Sequence, residues 1–396
     1  MDKVPPPSRT PCSMERFAVM PVLVDPALLG THLGLLERGY EDFLEAMETL
    51  ALEYLSRSPV PGRFLFLPDA TGNEFRTAGG RRIPVLEIGN PEARENTLVF
   101  EATCHGGEKV HSLTLFLAFL ALCQGGSEWE TLLERAYCVF LPVMDPDGWH
   151  KETRAYVDRS GEEVRTPVVV SMNHIRNFFG WEDANAAFGR KTVATRGRRI
   201  QALQQYLLSQ PGNIRVYSSL HETVTLESEY VYKNAGIMIF LHERLAPEEY
   251  ERIARLRYHL TFCEKVEYFL RSRFPFFPPK YRGEVLMHYP SVQKTLAIRN
   301  FIRKCGLPIF QDAFEAAFRE IPFFMERDLP VFEGIYLIGP IFQKAGIALA
   351  PDFYQYHTGC TGRTIETFAQ RKELRILQGL AFVEGTLRVE VKGERF

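Results

Sequence analysis

Residues 96–105, NTLVFEATCH, form a largely apolar stretch that ends in a histidine and passes straight into Gly106-Gly107. The stretch is short and rich in β-branched and aromatic residues, so it reads as a buried strand. LTLFLAFLALC, residues 113–123, follows at once and reads as a buried helix. YCVFLPVM (137–144) is a second apolar strand, ending at DPDG, and VRTPVVVSM (164–172) offers a third. IRVYSSLH (214–221) offers a fourth, preceded by the helical pattern RRIQALQQYLLSQ (198–210). Strand, helix and strand repeated in this way predict an α/β fold: a mixed, largely parallel twisted sheet flanked by helices.

The flanking segments differ. From Pro26 to about Ser58 apolar residues recur at helical spacing, among them Leu33, Leu36, Tyr40, Phe43, Leu44, Met47 and Leu50. Pro59 and Pro61 end that run. RFLFLP (63–68) and RRIPVLEIGN (81–90) read as short strands around a turn-rich connection. Residues 1–80 are thus expected to be an N-terminal helical extension with short strands, and residues 81–396 the main domain. A helical insertion is expected at about 245–320, where EEYERIARLRYHLTFCEKVEYFLRSRF, VQKTLAIRNFIRKCGL and DAFEAAFREI break the alternation. The sheet pattern returns with GIYLIGPIF and TIETFA.

Composition narrows the class of partner. The formal net charge is -2, so no basic field favours nucleic acid or an acidic membrane. No apolar run of about 18 residues is present to suggest a membrane span. The beginning of the chain lacks the apolar stretch of a secretory signal. The 7 cysteines are odd in number, scattered, and form no CxxC, which argues against a disulfide framework and for a reducing, cytoplasmic setting. Cys104, Cys138 and Cys263 sit among apolar residues and read as buried thiols.

Chemistry gathers at the strand ends. In HGGE, His105 and Glu108 stand three positions apart where a loop bends into a helix, so both side chains can turn to one point. Sites in open α/β sheets collect beyond the carboxyl ends of strands. H-x-x-E alone arises by chance. His221 also ends an apolar strand, however, and the two features together supply two imidazoles and a carboxylate. That is the donor set of a catalytic zinc with a fourth position left for water. Glu366 lies in a β-branched and aromatic strand, where a carboxylate is out of character, and it suits a general base beside the metal.

These features, in this order, resemble the zinc carboxypeptidase family. VMDPDGWHKETR resembles that family's N-P-D-G segment followed by an arginine, with Asp145 in place of the Asn, and MNHIRNFFGW resembles its D-L-N-R-N-F segment. The resemblance covers roughly residues 95–235 and 345–380. It implies that His105, Glu108 and His221 hold one zinc ion per chain and that Glu366 activates zinc-bound water. It further implies that Arg154 polarises the scissile carbonyl and that Arg176, with Asn177, binds a substrate carboxylate. A guanidinium suits each arginine's task, being a fixed fork of donors.

The departures are specific. Ile175 and Asn173 stand where the family carries Asn and Asp, and Glu222 follows the third ligand where digestive members carry a small hydroxyl residue. The pocket tyrosine has three candidates, Tyr289, Tyr354 and Tyr356, and Arg363 offers a substitute anion contact. These features fit the family's wider relatives, the succinylglutamate desuccinylases and aspartoacylases among them. The expected function is therefore zinc-dependent hydrolysis of an amide bond, in a peptide or alternatively in an N-acyl amino acid. A non-catalytic binding module and a structural zinc site are the competing readings. Oligomeric state is left open.

Overall fold

The computed structural model describes Leu23 and residues 26–149, 153–158, 160–167, 182–184, 187–188, 197–210, 212–223, 236–243, 289–307, 309, 331–332, 335–337, 349–368 and 371–396. Expectations for Asn173, Ile175, Arg176, Asn177, Cys263 and the helical stretches 248–274 and 312–321 lie outside the described residues.

The chain opens with α1 (Pro26–His32) and α2 (Tyr40–Leu55), followed by β1 (Gly62–Phe66), β2 (Pro84–Gly89) and β3 (Thr97–Ala102). Next come α3 (Val110–Gln124), α4 (Ser127–Leu133), β4 (Tyr137–Leu141), β5 (Thr153–Val157), β6 (Glu163–Pro167) and β7 (Glu182–Asp183). Then follow α5 (Arg198–Ser209), β8 (Ile214–Thr223), β9 (Ile237–His242) and α6 (Pro290–Lys304). The chain closes with β10 (Val331–Phe332), β11 (Ile335–Leu337), α7 (Ala350–Thr358), β12 (Thr361–Phe368) and α8 (Lys372–Leu387).

Nine strands form one sheet in the order β1-β2-β4-β3-β8-β12-β9-β11-β10. The four central strands, β4, β3, β8 and β12, run parallel. The neighbours on either side, β2 and β9, are antiparallel to them. The fold is thus α/β with a mixed sheet. Segment VRTPVVVSM departs from the expected pattern. Its described part is β6, which pairs antiparallel with β5 in a separate three-stranded sheet, β6-β5-β7. Pro167, with no N–H to donate, closes that strand.

Helices cover both faces of the main sheet. α2 buries Tyr40, Phe43, Leu44, Met47 and Ala51, one stripe at helical spacing. α3 is buried on every side from Val110 to Cys123, as befits a helix lying between the sheet and other helices. α8 is buried from Ile376 onward and joins α2 and α3 in one core. On the opposite face α5 and α7 bring Leu203, Tyr206 and Tyr354 to a second core with Val85, Val99 and Tyr217. Sequence periodicity does not announce β9, α7 or α8. The enclosed part of α8 mixes Gln378, Glu384 and Thr386 with apolar residues, which blurs any apolar stripe. Among the described residues, no single helix is long and apolar enough to cross a membrane.

Candidate metal centre

The two faces of the sheet differ in chemistry. Residues opposite one another on neighbouring strands point to the same face, and residues alternate along each strand. The registers set Glu366 beside His221, Thr364 beside Ser219, and Glu101 beside Ser219. These side chains therefore share one polar face, while Leu220, Ile365 and Phe100 point to the other. At the carboxyl end of β3 the chain leaves the sheet through Thr103, whose φ of 56° is uncommon for a β-branched residue. Its hydroxyl compensates by donating to the carbonyl of Glu108, 2.9 Å away, which closes the HGGE turn.

A second contact holds the turn against its neighbour. A Cβ on Gly106 would lie 2.2 Å from the Cα of Gly148, so only glycine permits the two backbones to touch. Asp145 completes the join, accepting the N–H of Gly106 at 3.1 Å and a two-point contact from Arg165. HGGE and DPDG, distant in sequence, are thus one rigid unit.

Beside that unit three donors converge. His105, Glu108 and His221 are buried, and each offers one ligand atom within 4.8 Å of the others. His105 Nδ1 lies 2.7 Å from Glu108 Oε1, and His221 Nδ1 lies 2.9 Å from Glu108 Oε2. The other ring nitrogens face outward. His105 Nε2 is 3.2 Å from Asp183 Oδ1, and His221 Nε2 is 2.9 Å from Ser219 Oγ. Metal-binding imidazoles commonly have such a partner on the remote nitrogen, which fixes tautomer and ring orientation. The donor set, its burial and its outer partners fit a divalent metal ion.

Electrostatics agree. Burial alone would push the Glu108 carboxyl up, but the charges and hydrogen bonds of His105 and His221 outweigh it and hold the group well below the usual range. For His221 burial acts downward, while Glu108 and Glu366 act upward and prevail. Cys104, adjacent to His105 in sequence, stays outside the cluster. Its Sγ is 3.9 Å from Ser219 Oγ, and burial, with Glu101 nearby, pushes the thiol well above its ordinary value.

The other expected residues are placed as follows. Glu366 is half-buried, one strand over from His221. Arg154 lies on β5, its backbone opposite Thr166 in the small sheet. Arg363 points to the face opposite Glu366 and is fully buried against Glu390, with Nη2 to Oε1 at 2.6 Å and Nε to Thr295 Oγ1 at 2.9 Å. It is a structural ion pair rather than an anion contact at the cluster. Tyr354 is buried and stacked on Tyr217 at 4.4 Å, Tyr356 is 40% exposed, and Tyr289 precedes α6. Asp183 and Asp145's contact with Gly106 have no sequence signal, because each acts across a long separation; Ser219, two residues before His221, has none because a serine in such a strand is not distinctive.

A family model for the zinc carboxypeptidases matches residues 75–260. No curated protein matches the chain. Similar solved structures include a metallo-carboxypeptidase from Burkholderia cenocepacia, 15% identical, with 89% of this chain and 69% of that chain covered at a TM-score of 0.46. Another is a metallo-carboxypeptidase from Pseudomonas aeruginosa in complex with (2-guanidinoethylmercapto)succinic acid, 15% identical over 87% of this chain and 68% of that one, with a TM-score of 0.42. Thrombin activatable fibrinolysis inhibitor is 12% identical over 90% and 75%, with a TM-score of 0.47. The segment matched by the zinc carboxypeptidase model contains His105, Glu108 and His221, the three residues that converge in the buried cluster.

Proposed function

We propose that this protein is a zinc-dependent hydrolase of peptide or related amide bonds, acting as a carboxypeptidase does, with one zinc per chain. The observation that carries the reading is the adjacency of Glu366 to His221 across β8 and β12, which sets a proton-handling carboxylate beside a buried three-donor cluster. Two imidazoles and one carboxylate are a known donor set of catalytic zinc. Zinc bound there would supply Lewis acidity and make water acidic enough to react near neutral pH. Glu366 accepts a proton from a water at the cluster and returns it to the departing amine. Arg154 is assigned to the charge that develops on the scissile carbonyl oxygen. Arg176 and Asn177 are assigned to a carboxylate of the substrate. These last three roles rest on the matched segments.

Native protein should contain close to one zinc per chain by elemental analysis. Peptides with free C-termini, tested beside N-acyl amino acids, should lose their terminal residue in a chelator-sensitive reaction. Protein purified without metal, or turnover indifferent to chelation, would overturn the reading. A clear preference for N-acyl amino acids would replace peptidase with deacylase.

A further inference from the structure

Behind the cluster, on the face of the sheet that packs α2, α3 and α8, lies a small set of buried polar contacts. Glu222 follows His221 on β8 and points to this opposite face, almost fully buried. Its Oε1 accepts the backbone N–H of Val110 at 3.0 Å. Val110 is the first residue of α3 and lies two positions after Glu108. The residue before the helix, Lys109, gives it no side-chain cap, so the cap comes from Glu222 across the molecule. Arg375, in the first turn of α8, holds the other carboxylate oxygen of Glu222. A second tie runs alongside. His111 Nε2 lies 2.9 Å from the hydroxyl of Thr367, the residue after Glu366. Gly379 of α8 makes room for that ring, since a Cβ there would lie 2.8 Å from His111 Nδ1.

We propose that Glu222, steadied by Arg375, is a positioning residue that sets the spacing of the metal cluster. Its carboxylate is a strut between the strand carrying His221 and the helix start that carries Glu108. A helix cap in an ordinary place needs no arginine partner from another helix and no contact across 112 residues. Here the capped N–H and the capping side chain each adjoin a ligand, so any change in the strut's length moves one ligand relative to the other. The small hydroxyl residue that digestive members of the resembled family carry at this position is shorter than that span, and the charge of Arg375 answers the larger carboxylate. The inference rests on the zinc reading.

The test uses the full-length protein, stripped of metal and folded. Zinc affinity is measured by competition with a chelator, and the visible spectrum is recorded after loading with cobalt. Glu222→Ala should weaken zinc binding by about 10-fold to 100-fold, the range typical of lost outer-shell support, and should alter the cobalt bands. Glu222→Gln keeps an acceptor for the Val110 N–H and should retain most of the affinity. A folded Glu222→Ala protein that binds zinc within about twofold of wild type, with unchanged cobalt bands, overturns the proposal even if its melting temperature drops. Should that variant not fold, Arg375→Met carries the test: weakened zinc binding supports the strut, and unchanged binding overturns it. Wild-type protein that binds no zinc would instead remove the functional reading beneath it.

Discussion

Glu366 and His221 stand side by side because β8 and β12 are parallel and in register. The carboxylate is not needed to hold the cluster together, since Glu108 bridges both imidazoles. Glu366→Gln should therefore keep its zinc and lose turnover by about 10²- to 10⁴-fold, the share usual for a general base. Metal analysis and steady-state kinetics on the same sample check this. Arg363, three positions earlier, has the opposite duty. It is enclosed with Glu390, whose carboxyl is pushed up by burial but pulled lower overall by Arg363 and Lys294. Arg363→Met leaves a buried charge without its main partner and should cost about 3–5 kcal/mol of stability. Zinc content and KM should not change, which denaturant unfolding and kinetics would show. HGGE, SSLHET and TIETF made the candidate ligands and the candidate base visible in the chain itself, and the structure brings His105, Glu108 and His221 together. Arg363 reads there as a substitute anion contact or a solvated loop arginine and is neither, because a strand's alternation tells which residues share a face only once its neighbours are known.

Among elements, α3 carries the most consequence. Its first residues fix the HGGE turn, its flanks are buried, and His111 in its first turn reaches β12. Burial, then the charges of Arg375 and His221, push the His111 imidazole down to about 3 from its ordinary 6.5. The folded protein thus keeps this ring neutral over a range in which the unfolded chain would protonate it. The resulting contribution is whole above about pH 6.5 and drains away as pH falls toward 3, because the unfolded state binds the extra proton. His111→Gln should remove that drain, flattening the loss of stability between pH 6 and pH 4 by up to about 1.4 kcal/mol per pH unit. Denaturation midpoints of both proteins across that range would decide it. An unchanged slope would mean that His111 does not titrate in this way. The sequence marks α3 plainly as a buried helix, yet nothing in LTLFLAFLALC says that the residues just before it meet Thr367 and Glu222.

For the molecule as a whole, one sheet divides two kinds of interior. One face packs α2, α3 and α8 into a core, and the other carries Glu101 beside Ser219 and, two positions further along, His221 beside Glu366, toward the carboxyl ends of the central strands. A metal held by His105, Glu108 and His221 would bind the folded chain far better than the unfolded one, in which those residues lie far apart. Zinc should therefore raise stability by about 4 kcal/mol when free zinc is a thousandfold above its dissociation constant. Calorimetry of metal-loaded and chelated protein should show the corresponding drop in Tm. Equal melting of the two forms would argue that no metal is held in the folded state.

By itself the sequence determined the α/β alternation, the buried strands, and the residue types able to bind zinc and move a proton. Those features are local: apolar runs, turn residues, and an imidazole or carboxylate where packing would prefer neither. Only the tertiary structure decided that the central strands share a register, that HGGE locks onto DPDG through Gly106 and Gly148, and that Asp183, Ser219 and Glu222 stand behind the ligands. Apart from Ser219 with His221, two positions apart, each of those contacts joins residues far apart in the chain. Their partners are chosen by the packing of the sheet and helices, and no spacing along the sequence encodes such a choice.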